Sequence, residues 1–390
     1  RNGGREVRPL YRMALSFSRA ALLLVLVAGS AGCSFFGGNA AKPKPADLGV
    51  NVPVLGVRQV WTAKIGTVRG MPLVAHVQGP IVTLASSDGV VAAIDARTGG
   101  DLWRVSLGEP LVAGVGSDGK WSAVVARGNE VVVLESGREL WRQRLPSQVY
   151  TAPLVAGARI FVLGADRSIA AFDARSGARL WNQSRPGEPL VLRQPGVLMA
   201  VGDTLVAGMS GRLVGLNPDN GIVRWEAPLA SPRGTNDVER LVELVAPVSR
   251  VGSTVCARAF QVAVGCVDAS RGAVEWVQKA GGSHGIHGND DTVFGTESNG
   301  VVVAWRRADG TRLWSTDRLQ HRKLTAPLVL GRAVVIGDDA GLIHLLSRED
   351  GAPLNRLQTD GSGVAATPVA AADTLVVVTG NGNIYGYRPD

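Results

Sequence analysis

Histidine, cysteine and paired carboxylates are the side chains most able to carry chemistry, and this sequence holds few arrangements of them. It has five His and three Cys in 390 residues. Only His284 and His287 lie close together, in a Gly-rich run, and two His three residues apart can ligate a metal when a third ligand joins them. No third ligand can be assigned from the sequence. Loop histidines are therefore the simpler interpretation, and no metal site is predicted.

Two motifs of common enzymatic reactions are absent from the sequence. It contains no His-Glu-x-x-His motif and no phosphate-binding Gly-rich loop. The net charge is +8, but residues 1–32 contain five Arg and one Glu, which account for half of it. The remaining charge is too mild to indicate a nucleic-acid partner. The sequence thus predicts a protein without catalytic residues, without a cofactor and without nucleic acid.

The N-terminal residues predict export. The apolar stretch at 20–29 follows Arg19 and is too short to cross a bilayer core of ~30 Å as a helix, which is typical of a secretory signal. The signal ends in Ser30-Ala31-Gly32-Cys33, after which Gly, Ala, Pro and Lys dominate. That composition predicts a flexible tether. The predicted organisation is upstream residues and signal peptide at 1–32, tether at 33–52 and a folded domain at 53–390.

A Gly followed four residues later by Trp recurs along the folded part, at spacings of 38 to 51 residues. A seventh copy has Asn355 in place of the Trp. Strand-like apolar runs such as 131–134 precede the glycines, and Asp-Gly or Asn-Gly hairpin pairs precede several of these runs. This period and this pattern favour four-stranded propeller blades over helical repeats. The six copies that keep the Trp end at Trp103, Trp141, Trp181, Trp225, Trp276 and Trp314.

The two ends of the folded part complement each other. The last unit, 368–390, stops before its fourth strand, whereas 57–65 carries Trp61 and precedes the first full unit. Joining the ends in one blade removes the open sheet edges. The sequence therefore predicts an all-β fold, an eight-bladed β-propeller of four-stranded antiparallel blades that is closed by pairing of the N- and C-terminal strands.

Two cysteines lie within one predicted hairpin. Cys256 and Cys266 are equally distant from Gln261, where the hairpin between the second and third strands of a blade turns. Equal spacing places them opposite each other, and an exported protein meets an oxidising compartment, so a disulfide is chemically allowed. A pair of buried free thiols is the alternative.

The repeat also resembles a known motif. Ala93-x-Asp95-x-x-Thr98-Gly99-x-x-x-Trp103 is similar to the tryptophan-docking repeat that pyrroloquinoline-quinone dehydrogenases share with the BamB family of outer-membrane protein assembly factors. The run that ends at Cys33 resembles the lipobox of bacterial lipoproteins, with Ser30 where Leu is usual. The resemblance implies a lipid on Cys33, and Ser34 resembles the rule for sorting to the outer membrane. The expected location is then the periplasmic face of that membrane.

Two local stretches favour the BamB family. Residues 189–193 resemble its L-x-L-R loop, and residues 234–243 resemble its G-[ST]-x-[DE]-[IV]-[DE]-R-L-x-D segment. Both follow the fourth strand of consecutive blades, so both are expected on one face, where repeat proteins commonly bind partners. The alternative is that 189–192 is an inner strand. The resemblance implies binding to a POTRA domain of BamA through Leu190, Leu192, Arg193 and Glu243.

The family pattern has a second acidic residue two places beyond Glu243, where this chain has Val245. The expected function is that of a non-catalytic scaffold lipoprotein in the BAM complex, which aids insertion of outer-membrane proteins, with unfolded outer-membrane proteins as further candidate partners. One alternative is a quinone-dependent dehydrogenase, which needs a calcium site, a catalytic acid and a vicinal Cys pair. Another is a periplasmic propeller scaffold for a different envelope partner.

Overall fold

Short β-branched runs and tight turns give this chain its antiparallel sheets. The computed structural model describes residue 3 and residues 43–186, 191–232, 235 and 241–390, and these residues form 32 strands in eight four-stranded sheets. The sheets follow one another along the chain as the blades of one ring, so the predicted eight-bladed propeller is confirmed. None of the described residues forms a helix that is long and apolar enough to cross a membrane.

Each of blades 1 to 7 runs from its innermost to its outermost strand in chain order. Blade 1 contains β2 (His76–Gln78), β3 (Ile81–Ala85), β4 (Val90–Asp95) and β5 (Asp101–Ser106). Blade 2 contains β6 (Leu111–Ser117), β7 (Trp121–Ala126), β8 (Glu130–Glu135) and β9 (Arg138–Arg144). Blade 3 contains β10 (Leu154–Ala156), β11 (Arg159–Leu163), β12 (Ile169–Asp173) and β13 (Arg179–Gln183). Blade 4 contains β14 (Leu198–Val201), β15 (Thr204–Met209), β16 (Arg212–Leu216) and β17 (Val223–Pro228).

The second half of the ring repeats this pattern. Blade 5 contains β18 (Leu244–Val251), β19 (Thr254–Ala259), β20 (Ala263–Asp268) and β21 (Ala273–Lys279). Blade 6 contains β22 (Ile286–Gly288), β23 (Thr292–Thr296), β24 (Val302–Arg306) and β25 (Arg312–Thr316). Blade 7 contains β26 (Leu328–Leu330), β27 (Ala333–Gly337), β28 (Leu342–Ser347) and β29 (Pro353–Gln358). Blade 8 contains β30 (Val369–Ala371), β31 (Thr374–Val378), β32 (Asn383–Pro389) and, from the other end of the chain, β1 (Val57–Lys64).

The ring is closed in blade 8. Strand β1 pairs antiparallel with β32, from Val57 opposite Pro389 to Lys64 opposite Asn383. The N-terminal strand therefore supplies the outermost strand of a blade whose other three strands end the chain, as the sequence predicted. This pairing covers an edge of β32 that would otherwise expose its backbone N–H and C=O groups.

Tryptophan rings join neighbouring blades. The Trp61 indole N–H donates to the carbonyl of Ala96 at 2.8 Å, and its ring lies on Gly99, where a Cβ would come within 2.6 Å of the ring. Gly99 also has φ of +74°, so both its left-handed backbone and the close ring favour glycine. Trp141 repeats the arrangement on Gly177 of the next blade. The repeat of Gly and Trp is thus explained by packing between blades.

The seventh repeat lacks its Trp for a structural reason. Blade 8 takes its third and fourth strands from opposite chain ends, so no Gly turn connects them for a ring to pack on. Asn355 occupies the Trp position, and its side-chain N–H donates to the carbonyl of Leu55 at 2.8 Å. The Asn51 side chain donates to Asn355 Oδ1 at 3.1 Å. A hydrogen-bonded N-terminal segment thus replaces the missing ring.

This segment, residues 46–56, is called the N-terminal strap below. It lies along β29, where Val54 N donates to the carbonyl of Leu354 at 2.7 Å and Arg356 Nη2 donates to the carbonyl of Gly49 at 2.9 Å. The strap includes the end of the tether predicted at 33–52, so residues 46–52 are held against blade 7 and are not a free chain. The earlier tether residues, 33–42, lie outside the described residues.

Candidate partner-binding site

The connection from blade 3 to blade 4 carries the first predicted binding stretch. Pro189 and Leu190 lie outside the described residues. Leu192 is half-buried and Arg193 is exposed, and both precede β14 without belonging to a strand. The innermost strand of blade 4 is β14, and Leu192 belongs to no strand.

The connection from blade 4 to blade 5 carries the second stretch and touches the first. Val245 pairs with Gly196 in an isolated bridge, and Ala246 N donates to the carbonyl of Pro195 at 2.9 Å. Within the described residues, Leu192 and Glu243 line the same pocket. The structure therefore brings Leu192 of the first stretch and Glu243 of the second to one pocket, on the face that carries the hairpins between second and third strands. Residues 234 and 236–240 of the second stretch lie outside the described residues.

Apolar side chains form most of the pocket wall. Leu244 and Val245 are each 2% exposed, Leu163 is nearly buried, and Leu192 closes one side. The hydroxyl of Thr151 accepts the backbone N–H of Gly196 at 2.9 Å, so it is already hydrogen-bonded. The pocket is thus a small apolar recess whose few polar groups are hydrogen-bonded to other groups of the same chain.

An ion pair within the chain forms part of this pocket. Arg167 Nη2 lies 2.8 Å from Glu243 Oε1, with side-chain exposures of 8% and 15%. Burial raises the pKa of Glu243, although the Arg167 guanidinium opposes the rise. The acidic residue predicted as a partner contact is thus already paired with a buried cation of its own chain.

Sequence reasoning missed Arg167. It lies in the hairpin between β11 and β12 with φ of +64°, a left-handed conformation that is uncommon for residues other than glycine. Asp88-Gly89 and Asn299-Gly300 occupy the same turn in other blades, so an Asp-Arg pair at 166–167 departs from the hairpin pattern. This departure was the available signal: an Arg in a left-handed turn position, where Gly is favoured, indicates that its side chain makes a specific contact.

In the Gly-rich run, His284 is exposed and His287 is half-buried. Partial desolvation, and then the charge of Arg258, lowers the pKa of His284, and partial desolvation followed by the charge of Arg307 lowers that of His287. His287 Nδ1 accepts the backbone N–H of Val329 at 3.1 Å. Among the described residues, no three His, Cys, Asp or Glu side chains gather as ligands for a metal.

The two cysteines of blade 5 lie opposite each other. Cys256 and Cys266 are cross-strand partners in β19 and β20, both are fully buried, and their sulfur atoms are bonded. The hairpin turns at Gln261, as the sequence predicted. The alternative, two buried free thiols, can be distinguished from this disulfide by counting the alkylatable thiols of the denatured protein.

We expect the exported protein to carry this disulfide. Denatured without reductant, it should show no alkylation at Cys256 or Cys266, and both should react after reduction, because only the free thiolate is alkylated. Peptide mass spectrometry with two isotopic alkylating reagents, one before and one after reduction, gives the count. Labelling of both residues before reduction would contradict the expectation.

The chain matches known proteins over most of its length. A family model described as outer membrane protein assembly factor BamB matches residues 87–316. The BamB of Burkholderia pseudomallei is 39% identical over 352 residues, which cover 90% of this chain and 92% of that protein. The chain belongs to the BamB family. The BamB of Bordetella pertussis is 34% identical, with coverage of 95% of this chain and 97% of its own length.

Solved structures share the fold. The crystal structure of BamB from Moraxella catarrhalis has a TM-score of 0.77 at 21% identity and covers 85% of this chain and 99% of that chain. A quinohemoprotein alcohol dehydrogenase from Comamonas testosteroni has a TM-score of 0.67 at 15% identity, covering 86% of this chain and 76% of its own. At these identities the likeness concerns the fold alone, and the dehydrogenase fold carries no activity over to this chain.

Proposed function

We propose that this protein is a non-catalytic scaffold lipoprotein that binds a POTRA domain of BamA and aids insertion of outer-membrane proteins. The observation that carries the proposal is the meeting of the two family-like stretches at one pocket, with Leu192 in its wall and exposed Arg193 close by. Relatives over most of the chain are named outer-membrane protein assembly factors, which supports membership of the same machinery.

The Leu-Arg pair next to the pocket is the expected anchor. Leu192→Ala combined with Arg193→Ala should weaken BamA binding about thirtyfold or more, because truncating a hot-spot residue typically costs ~2 kcal/mol or more. Binding of the detergent-extracted protein to BamA POTRA domains, measured by isothermal titration calorimetry, tests this. The melting temperature should change little, since both residues lie outside the strands.

A matched control is available on the outermost strand of blade 3. Arg179 and Leu180 are adjacent and exposed on β13, so Arg179→Ala with Leu180→Ala removes the same side-chain types away from the pocket. This variant should keep wild-type affinity. If the two double variants bound BamA with equal affinity, the pocket would not be part of the interface. The alternative function, a quinone-dependent dehydrogenase, would be recognised by activity after reconstitution with calcium and quinone.

Cys33 is the proposed anchor to the membrane, and it lies outside the described residues. We expect the mature protein to begin at this residue with a diacylglyceryl thioether, because the preceding Ala31-Gly32 and the short apolar segment fit lipoprotein processing. Intact mass spectrometry of membrane-extracted protein measures the modification, and Cys33→Ala should release the protein from the membrane fraction. A mature chain that begins at another residue without lipid would contradict the anchor.

A further inference from the structure

A leucine that joins neighbouring blades elsewhere in the ring is replaced between blades 5 and 6. Four residues after the repeat Trp, blades 1, 2 and 4 have Leu107, Leu145 and Leu229, and each packs into an apolar cluster that includes the next blade. Blade 5 has Ala280 at this position. The shorter side chain leaves space between blades 5 and 6.

This space is a groove along β24 with a volume of about 380 Å³, and it is called the blade 5–6 groove below. Its apolar floor contains Val301, Val303 and Trp305, and the last two are 6% and 4% exposed. In blade 5 the position that corresponds to Val303 is Gly265, because each precedes the residue opposite the repeat Trp. A Cβ on Gly265 would lie 2.8 Å from Leu229 Cδ2, so a leucine covers this surface in blade 5 and leaves it open in blade 6.

Basic side chains lie at both ends of the blade 5–6 groove. Lys279 lines it beside the hairpin of blade 6, where the backbone N–H of Ser298 donates to the carbonyl of Gly281 at 3.2 Å. Arg312 lines it at the other end, because it is the cross-strand partner of Trp305. Both basic side chains are exposed, and neither forms an ion pair with a residue that the structure describes.

Two further polar groups line the blade 5–6 groove. Glu297 is engaged within the chain, since its Oε1 lies 3.0 Å from Nη2 of the fully buried Arg258 and its Oε2 accepts the backbone N–H of Gly281. The indole N–H of Trp305, in contrast, has no hydrogen-bond partner in the described part of the chain. Because a buried indole N–H usually has a partner, this donor is available to a bound group.

We propose that the blade 5–6 groove binds an extended segment of a partner protein in which an apolar side chain lies between two carboxylates. The floor spans four residues of β24, about 13 Å, which corresponds to acidic residues four positions apart in an extended chain. The apolar side chain occupies the space that Leu fills in other blades, and the carboxylates pair with Lys279 and Arg312. This surface goes beyond the proposed function, because it lies in other blades than the Leu192 pocket.

Two synthetic peptides test the recognition of acidic segments. One has the sequence Ser-Glu-Ser-Leu-Ser-Glu-Ser with both ends capped, and the other has Gln in place of both Glu. Isothermal titration calorimetry of the detergent-extracted full-length protein, with peptide added up to ~1 mM, should show saturable binding of the acidic peptide. The Gln peptide should bind about tenfold more weakly or less. Equal binding of the two peptides, or no saturable binding of the acidic one, would overturn the inference.

Variants of the groove locate the binding. Ala280→Leu restores the side chain of the other blades, so it should weaken binding of the acidic peptide about tenfold or more and leave the melting temperature unchanged or raised. Lys279→Gln with Arg312→Gln should weaken binding to a similar extent, whereas Arg144→Gln with Arg179→Gln, two exposed residues of blades 2 and 3, should not. Wild-type affinity of either groove variant would contradict the proposal. If Ala280→Leu lowers the melting temperature, the double Gln variant decides, since both of its side chains are exposed.

Discussion

A chain that lacks residues 57–64 is expected to lose cooperative unfolding. These residues form β1, and their removal exposes the edge of β32 along its length. The deletion also removes Trp61, which joins blade 8 to blade 1 through its contacts with Ala96 and Gly99. The ring would thus open both within a blade and between blades, and an open edge also invites pairing with other chains.

Circular dichroism during urea and thermal unfolding measures this effect. The wild type should unfold in a sharp transition, and the deleted chain should show a broad one or aggregate. A point variant gives the scale: Trp61→Ala should cost about 3–5 kcal/mol of unfolding free energy, as expected for loss of a large ring between packed blades. Thr62→Ala on the exposed side of the same strand should change stability by less than ~0.5 kcal/mol.

The outcome for the deletion separates two views of ring closure. If β1 merely covers an edge, the remaining blades should still unfold together with an unchanged midpoint. That result would contradict the shared blade as the element that holds the ring closed. Loss of the sharp transition, together with a large effect of Trp61→Ala and a small one of Thr62→Ala, is what the contacts of β1 predict.

The number of blades and their closure could be predicted from the sequence because both follow from local patterns. Each strand has its own apolar run, and each Gly requires its own turn, so the period of Gly and Trp counts the blades directly. Closure followed from the missing fourth strand at one end and the surplus strand with Trp61 at the other. The bounds of β1, Val57–Lys64, agree within one residue with the stretch predicted at 57–65.

Contacts between distant parts of the chain could not be predicted in this way. Arg167 and Glu243 lie 76 residues apart in the chain. They meet only after the whole of blade 4, which lies between them in sequence, has folded. The strap contains Gly49, Pro53 and Gly56, which are typical of flexible segments, yet its backbone hydrogen bonds to β29 fix its position. Amino-acid composition indicates whether an isolated segment is flexible. It does not show which hydrogen-bonding groups of the folded blades lie beside that segment.

A buried ion-pair cluster in blade 7 also could not be predicted from the sequence, and its disruption is expected to have a large effect on stability. Asp338 is fully buried at the end of β27, and its Oδ2 accepts from His344 Nε2 at 2.9 Å and from Arg322 Nη1 at 3.1 Å. Its Oδ1 accepts the backbone N–H groups of Ala340 and Leu342. One carboxylate thus satisfies two side chains and a hairpin turn.

We expect Asp338→Asn to lower the unfolding free energy by about 3–5 kcal/mol at pH 7. The substitution keeps the shape but removes the charge that compensates Arg322, whose side chain is 13% exposed, and a buried charge without its partner is strongly destabilising. Urea unfolding at pH 7 measures the change. Asp373→Asn is the matched control, because Asp373 pairs with Arg388 at 3.2 Å but is 67% exposed, and surface pairs contribute ~0–1 kcal/mol.

The pH dependence of this difference has a definite sign. Burial alone would raise the pKa of Asp338, but the hydrogen bonds from His344 and the Leu342 backbone, with the charges of His344 and Arg322, bring it below its ordinary value. A lowered folded-state pKa contributes stability above the unfolded value of about 3.9, and this contribution is lost as pH falls through the folded value. The gap between wild type and Asp338→Asn should therefore be full at pH 7 and shrink as the pH falls below ~4. A gap that stays constant or widens over that range would show that the charge of Asp338 does not stabilise blade 7, and that the cost of the substitution arises from packing alone.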